Sequence, residues 1–210
     1  MKRIAMLLSA TVILSAVAAR AAEDDGFVDL LAPGDLSRFT TEGNWAVQED
    51  GTVKLEPRPG ESGWTRYGSY LWLDEQYADF VFQLDFKLPP RGNSGVYFHV
   101  GDKSDATDTG IEVQILDSHG KKKLSHHDCG GVIRTQAPSK NAVKPAGDWN
   151  HLTVTCRDDR VSVELNGEQI IDDVQLGDSP MKGRPKKGWI GLQDHGQPIW
   201  FRNLKIKRLD

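Results

Sequence analysis

Residues Asp79 to Leu88 read DFVFQLDFKL, and their side chains alternate without a break. On an extended chain Phe80, Phe82, Leu84, Phe86 and Leu88 fall on one face, and Gln83, Asp85 and Lys87 on the other. Five large apolar side chains on one face need a covering layer, since apolar surface left in water costs about 25 cal/mol per Å2. The same period of two recurs over Trp149 to Cys156, Val161 to Leu165, Trp189 to Gln193 and Ile199 to Leu209. It is weaker over Trp45 to Gln48, Val53 to Glu56 and Ser69 to Leu73, and a short strand is expected over Gly131 to Thr135. Asn166-Gly167, before Glu168 to Ile171, is a strong hairpin signal because both turn residues accept positive φ. No apolar 3.6-residue repeat long enough for a helix of several turns follows the first two dozen residues. About a dozen strands without an internal repeat or long linker predict an all-β, two-sheet antiparallel sandwich, in which each sheet buries the other's apolar face.

The chain opens MKRIAMLLSATVILSAVAARAAEDD: two cations, an apolar run from Ile4 to about Ala18, then small residues. This predicts a secretory signal over residues 1–22 and a mature domain over 23–210, exported to the periplasm or the extracellular space. The apolar run is shorter than the roughly 20 residues a spanning helix needs, so no membrane association is expected after cleavage. The formal charge of −4 becomes about −7 once Lys2, Arg3 and Arg20 are removed, which argues against a nucleic-acid partner. In an exported chain Cys129 and Cys156 either close one disulfide or remain a loop thiol and a strand thiol.

Polar residues concentrate between Arg91 and Ser118, RGNSGVYFHVGDKSDATDTGIEVQILDS. Two strands here would set Tyr97 and His99 on one face and Glu112 and Gln114 on one face, a patch of ring, imidazole, carboxylate and amide. Such a patch is costly to bury unpaired and well suited to a polar, ring-shaped ligand. The plain alternative for Glu112 is a solvated strand face. Asn93-Ser94-Gly95 reads either as a tight turn or as a ligand contact through Asn93. Trp64, after a loop rich in Pro, Gly and Ser, is the best candidate for stacking on a sugar, with core packing as its alternative. His195 stands between two strands where a loop reaches the mouth of a sandwich. The run His126-His127-Asp128-Cys129 lacks a second ligand pair at zinc spacing; it reads as a loop over the site, with His127 as a candidate ligand contact. Asp102, Asp105 and Asp108 lack calcium-loop spacing and read as a solvated acidic loop. No cofactor is called for, and a metal requirement is left open.

Taken in order, NSGVYFH, GIEVQILD, KPAGDWN, VELNG and GWIGLQDHG followed by IWFRNLKIKRL resemble the 3-keto-disaccharide hydrolase domain family over about residues 26 to 209. The resemblance implies a concanavalin A-like lectin/glucanase jelly roll acting in exported carbohydrate metabolism. Where many members carry Arg after an aromatic pair, this chain has Tyr97-Phe98-His99. Gln114 cannot serve as a nucleophile, so two-carboxylate glycoside hydrolysis is disfavoured. A 3-keto sugar requires less, because its ketone acidifies the C2 proton and one base then suffices. Glu112 or His195 is the expected base, with His99, Gln114 and Arg91 gripping the ketone or hydroxyls. A carbohydrate-binding module without turnover is the alternative, and the partner in either case is a small carbohydrate.

Overall fold

The computed structural model describes residues 26–32 and 34–209; the expected signal over residues 1–22 lies outside them. Thirteen strands occur among the described residues. In chain order they are β1 (Val28–Asp29), β2 (Phe39–Thr40), β3 (Trp45–Val47), β4 (Val53–Leu55), β5 (Leu71–Tyr77), β6 (Phe80–Lys87) and β7 (Asn93–Val100). Then follow β8 (Ile111–Leu116), β9 (Asn150–Arg157), β10 (Arg160–Leu165), β11 (Glu168–Gln175), β12 (Gly188–Leu192) and β13 (Ile199–Arg208). One sheet orders them β11-β10-β9-β6-β13-β4-β3, with β1 on β13, and the other β2-β5-β12-β7-β8. Every pairing is antiparallel.

The alternation of β6 does what its pattern requires. Phe80, Phe82, Leu84 and Phe86 are buried and belong to one core with Val96 and Phe98 of β7, Ile111, Val113 and Ile115 of β8, and Ile190 and Leu192 of β12. This is the expected two-sheet jelly-roll sandwich. The meander β9-β10-β11 turns at Asp158 and at Asn166-Gly167, with φ of 55°, 54° and 81°. No helix among the described residues is long and apolar enough to cross a membrane.

A second, smaller cluster lies on the face of the five-stranded sheet turned away from that core: Tyr70, Trp72, Tyr97, Val100 and Ala106, flanked by Tyr67 and Trp189. It forms the floor beside the site. Gly191 makes room for it, since a Cβ there would fall 2.9 Å from Cδ2 of the Trp72 indole.

Two expectations are corrected, over Gly131 to Thr135 and at His99, and the open choice at the cysteines is decided. Gly131 to Thr135 is not a strand: Val132 makes isolated bridges to Val113 and Gln136, and the chain turns at Arg134 with φ 60°. The 130–136 segment instead lies along the free edge of β8, where Gly130 donates to the Gln114 carbonyl and Ile133 to that of Glu112. Cys129 and Cys156 are both free, buried thiols rather than a disulfide. His99 does not share a face with Tyr97. Trp189 pairs with Val100 and Gly191 with Tyr97, so Phe98 and His99 both stand opposite Ile190. This β-bulge, with His99 at φ 50°, turns the imidazole inward and returns Val100 to the outer face.

Candidate functional site

On that outer face a cavity of about 270 Å3 is lined by Trp64, Asn93, Tyr97, Thr107, Glu112, Gln114, His127, Ile133, Arg134, Met181, Gln193 and His195, among others. Its volume is near the lower end for small-molecule sites, so it suits a small ligand. Of the residues singled out from the sequence, Glu112, His195, Gln114, Asn93, Tyr97, Trp64 and His127 meet here.

Glu112 and Gln114 are one strand alternation apart on β8, and Tyr97 and Gly95 are their register partners on β7. The Tyr97 hydroxyl donates to Glu112 Oε2 at 2.8 Å. Burial pushes the Glu112 carboxyl up to about 7, against the opposing pull of the Tyr97 hydrogen bond and the Arg134 charge. No ion pair engages Glu112 among the described residues. Tyr97 itself is held neutral, its pKa raised by desolvation and by the neighbouring carboxylate.

The other walls come from loops. His195 follows buried Asp194, whose carboxylate accepts from Arg66 and from the Gly196 amide. Gly196 is required there, with φ +79° and Ser62 Cα only 2.6 Å from where a Cβ would stand. The 130–136 segment along β8 supplies Ile133 and Arg134; Arg134 Nη1 donates to Asp108 at 3.2 Å. His126 and His127 pack with their rings tilted by 43° and centroids 4.2 Å apart, and the Arg134 amide donates to His126 Nδ1. Thr107 comes from the acidic loop, where Asp102 and Asp105 accept backbone amides at 2.8 and 3.4 Å as helix caps. Trp64 is 42% exposed, which favours a platform at the rim over core packing.

Two of the expected site residues lie elsewhere. His99 is 1% exposed, its Nε2 2.8 Å from the Ala78 carbonyl and 3.8 Å from Cys156 Sγ. It does not line the cavity, and desolvation lowers its pKa. Arg91 lies in the turn before β7, its amide bonded to Asp117, and does not line the cavity. Asn93-Ser94-Gly95 opens β7 rather than forming a turn, and Asn93 Oδ1 is buried without a partner among the described residues.

Residues absent from the sequence-derived set also build the site. Gln193 is 4% exposed, and its Nε2 lies 3.1 Å from the Tyr70 hydroxyl and 3.4 Å from that of Tyr97. Alternation along Trp189 to Gln193 would have placed Gln193 on one face with Gly191, which was its only signal. Arg134 and Met181 come from turns, where no periodic signal exists. No group of three or more His, Cys, Asp or Glu among the described residues is arranged to hold a metal ion.

The jelly-roll sandwich, with a small-ligand cavity on one sheet face, has the lectin/glucanase type of fold. The chain belongs to the 3-keto-α-glucoside-1,2-lyase-like domain family, whose model matches residues 26–207. It is similar to the 3-keto-disaccharide hydrolase of Bacteroides thetaiotaomicron, 24% identical over 206 residues, covering 79% of this chain and 70% of the relative. A provisional glycosyl hydrolase of Parabacteroides distasonis is similar in structure, with TM-score 0.74 and 27% identity over 87% of this chain and 99% of that one. The carbohydrate-binding module CBM66 of Bacillus subtilis shares the fold, with TM-score 0.57 and 16% identity over 87% of this chain and 95% of that one. Family and relatives place the chain among carbohydrate-active enzymes.

Proposed function

We propose that the protein is an exported enzyme that cleaves 3-keto-glycosides, with Glu112 as the base. The observation that carries this reading is a carboxyl raised to about 7, unengaged by any ion pair among the described residues, in a cavity with an imidazole and a guanidinium. A base whose pKa lies near the operating pH combines availability with driving force. Glu112 takes the C2 proton that the C3 ketone has acidified, and the electron pair passes into a C2–C3 enolate. Arg134 and the Gln114 amide are the donors lining the cavity that can stabilise its oxygen. The enolate re-forms the ketone as the C1–O bond breaks, leaving a C1–C2 double bond. His195 supplies the proton to the departing oxygen. Water added at C1, with a proton returned to C2, makes the net reaction a hydrolysis.

A binding module without turnover is the second reading, favoured by the exposed Trp64 at the rim. The free state of Glu112 favours chemistry, since a carboxylate that only held a sugar would not need so raised a pKa. Incubation with oxidised and unoxidised disaccharides, with and without chelator, tests the choice. The wild type is expected to release aglycone from the 3-keto forms, with a loss of at least about 1,000-fold in Glu112→Gln. No release from any oxidised substrate, or wild-type rates in both Glu112→Gln and His195→Ala, would overturn the proposal.

A further inference from the structure

We propose that Gln193 is a positioning residue for Glu112: its amide donates into two tyrosine hydroxyls and thereby obliges Tyr97 to keep its proton on the carboxylate. This rests on the reading of Glu112 as the base. The argument is one of hydrogen-bond polarity. The Tyr70 hydroxyl is 2.7 Å from the Trp64 carbonyl, which only accepts, so the Tyr70 proton is committed there. The Tyr97 hydroxyl is 2.8 Å from Glu112 Oε2, so its proton is committed as well. Each oxygen is left as an acceptor, and Gln193 Nε2, with two hydrogens, lies 3.1 Å from one and 3.4 Å from the other. The reverse amide orientation would set an acceptor against two oxygens with no proton to give. Gln193 Oε1 has no partner among the described residues, so none of them pulls the amide the other way.

The backbone holds Gln193 in place. Its amide donates to the Gly95 carbonyl at 2.9 Å, and its carbonyl accepts from Ser94 Oγ at 2.8 Å. Thr107 Oγ1, already accepting from Tyr67 at 2.9 Å, lies 3.5 Å from the Tyr97 oxygen and still has its own proton to give, so a bond there also leaves Tyr97 the acceptor. Tyr97 therefore remains a donor to Oε2 throughout, and the proton that Glu112 takes must go to Oε1. That oxygen lies over Gly95, the register partner of Gln114, which has no side chain to cover it.

The test is a carboxyl carbon NMR titration of Glu112 in the folded protein. The charged and titratable groups facing it are Tyr97 from the sheet, Tyr70 from the turn before β5 and Arg134 from the 130–136 segment, with His127 and His195 lining the same cavity. Tyr97→Phe is expected to raise the Glu112 midpoint by about one unit, as loss of a hydrogen bond to the charged form should. Gln193→Met is expected to raise it by about half a unit through a weakened Tyr97 donor, and to add nothing in the Tyr97→Phe background. Gln193→Glu, nearly isosteric, is expected to draw the Tyr97 proton away and raise the midpoint by at least about one unit. A folded Gln193→Met protein with an unmoved midpoint, or with an equal shift in the Tyr97→Phe background, would overturn the proposal. An unmoved midpoint in Gln193→Glu would do the same if the Met variant does not fold. Failure of the wild type to act on a 3-keto glycoside would sink the functional reading instead, and the titration would still decide the role of Gln193.

Discussion

Gly95 lies directly beneath Glu112: a Cβ built on Gly95 would stand 3.0 Å from the Glu112 Cδ and closer still to Oε1. The carboxylate thus leans across its neighbouring strand instead of standing clear of it. Gly95→Ala is expected to displace Glu112 and lower kcat/KM on a 3-keto glucoside at least about 100-fold, as sub-ångström misplacement of reacting groups does. Melting temperature should fall little, because the displaced group is polar and at the site. Unchanged turnover would show that the lean is not needed.

Stability should depend on pH through Glu112. Its folded-state pKa, about 7, lies above the ordinary carboxyl value of 4.5, so between those values the folded state binds more protons than the unfolded one. Stability from this group is therefore lost as pH rises through that window. Glu112→Gln, which keeps an acceptor for Tyr97, is expected to exceed the wild type by about 1 to 3 kcal/mol above pH 7 and to match it below pH 4.5. Urea unfolding at pH 4, 6 and 8 measures the difference.

Arg134 faces Glu112 and favours its charged form. Arg134→Met is expected to shift the acid limb of the kcat/KM profile upward by about half a unit, modestly because the guanidinium is partly exposed and screened. The shift should shrink when the two proteins are compared in 0.5 M salt. A limb that stays put would remove Arg134 from the electrostatics of the base.

Arg66 bonds to the buried carboxylate of Asp194, whose side chain is fully covered. Removing one partner of such a pair leaves a charge in the interior, at a cost of about 3 to 5 kcal/mol. Arg66→Met should therefore lower the urea midpoint strongly, whereas Asp194→Asn in the same background should recover part of it. Because Asp194 also receives the Gly196 amide, the single variant should lose turnover through His195 as well.

Both cysteines are buried, and desolvation pushes each thiol up to about 12. Thiol reagents should label neither in the native protein and both in guanidinium, and reductant should leave the melting temperature unchanged. A reductant-sensitive melt would restore the disulfide.

What could be read from the sequence was whatever follows strict alternation. The apolar face of β6 and the shared face of Glu112 and Gln114 came directly from period two, and the hairpin from the Asn166-Gly167 turn between two such runs. The residues that were misplaced or passed over break that period or lie outside it. Arg134 and Met181 sit in turns, Tyr70 follows a 3-10 turn at Tyr67–Ser69, and Gln193 stands one residue past the end of β12. His195 was found because it sits in a loop between two strands, and loops at a sandwich mouth reach ligands. Cys129 and Cys156 could not be settled, since pairing depends on three-dimensional approach that spacing does not encode.

The doubled inward step at Phe98 and His99 also sets how this stretch can diverge. Losing Val100 would restore simple parity and set His99 opposite Trp189, whereas replacing His99 in place would leave the ligand-facing surface untouched. Length variation at this point of β7, more than substitution, is the route by which an imidazole or a guanidinium could be brought to the sugar-facing side.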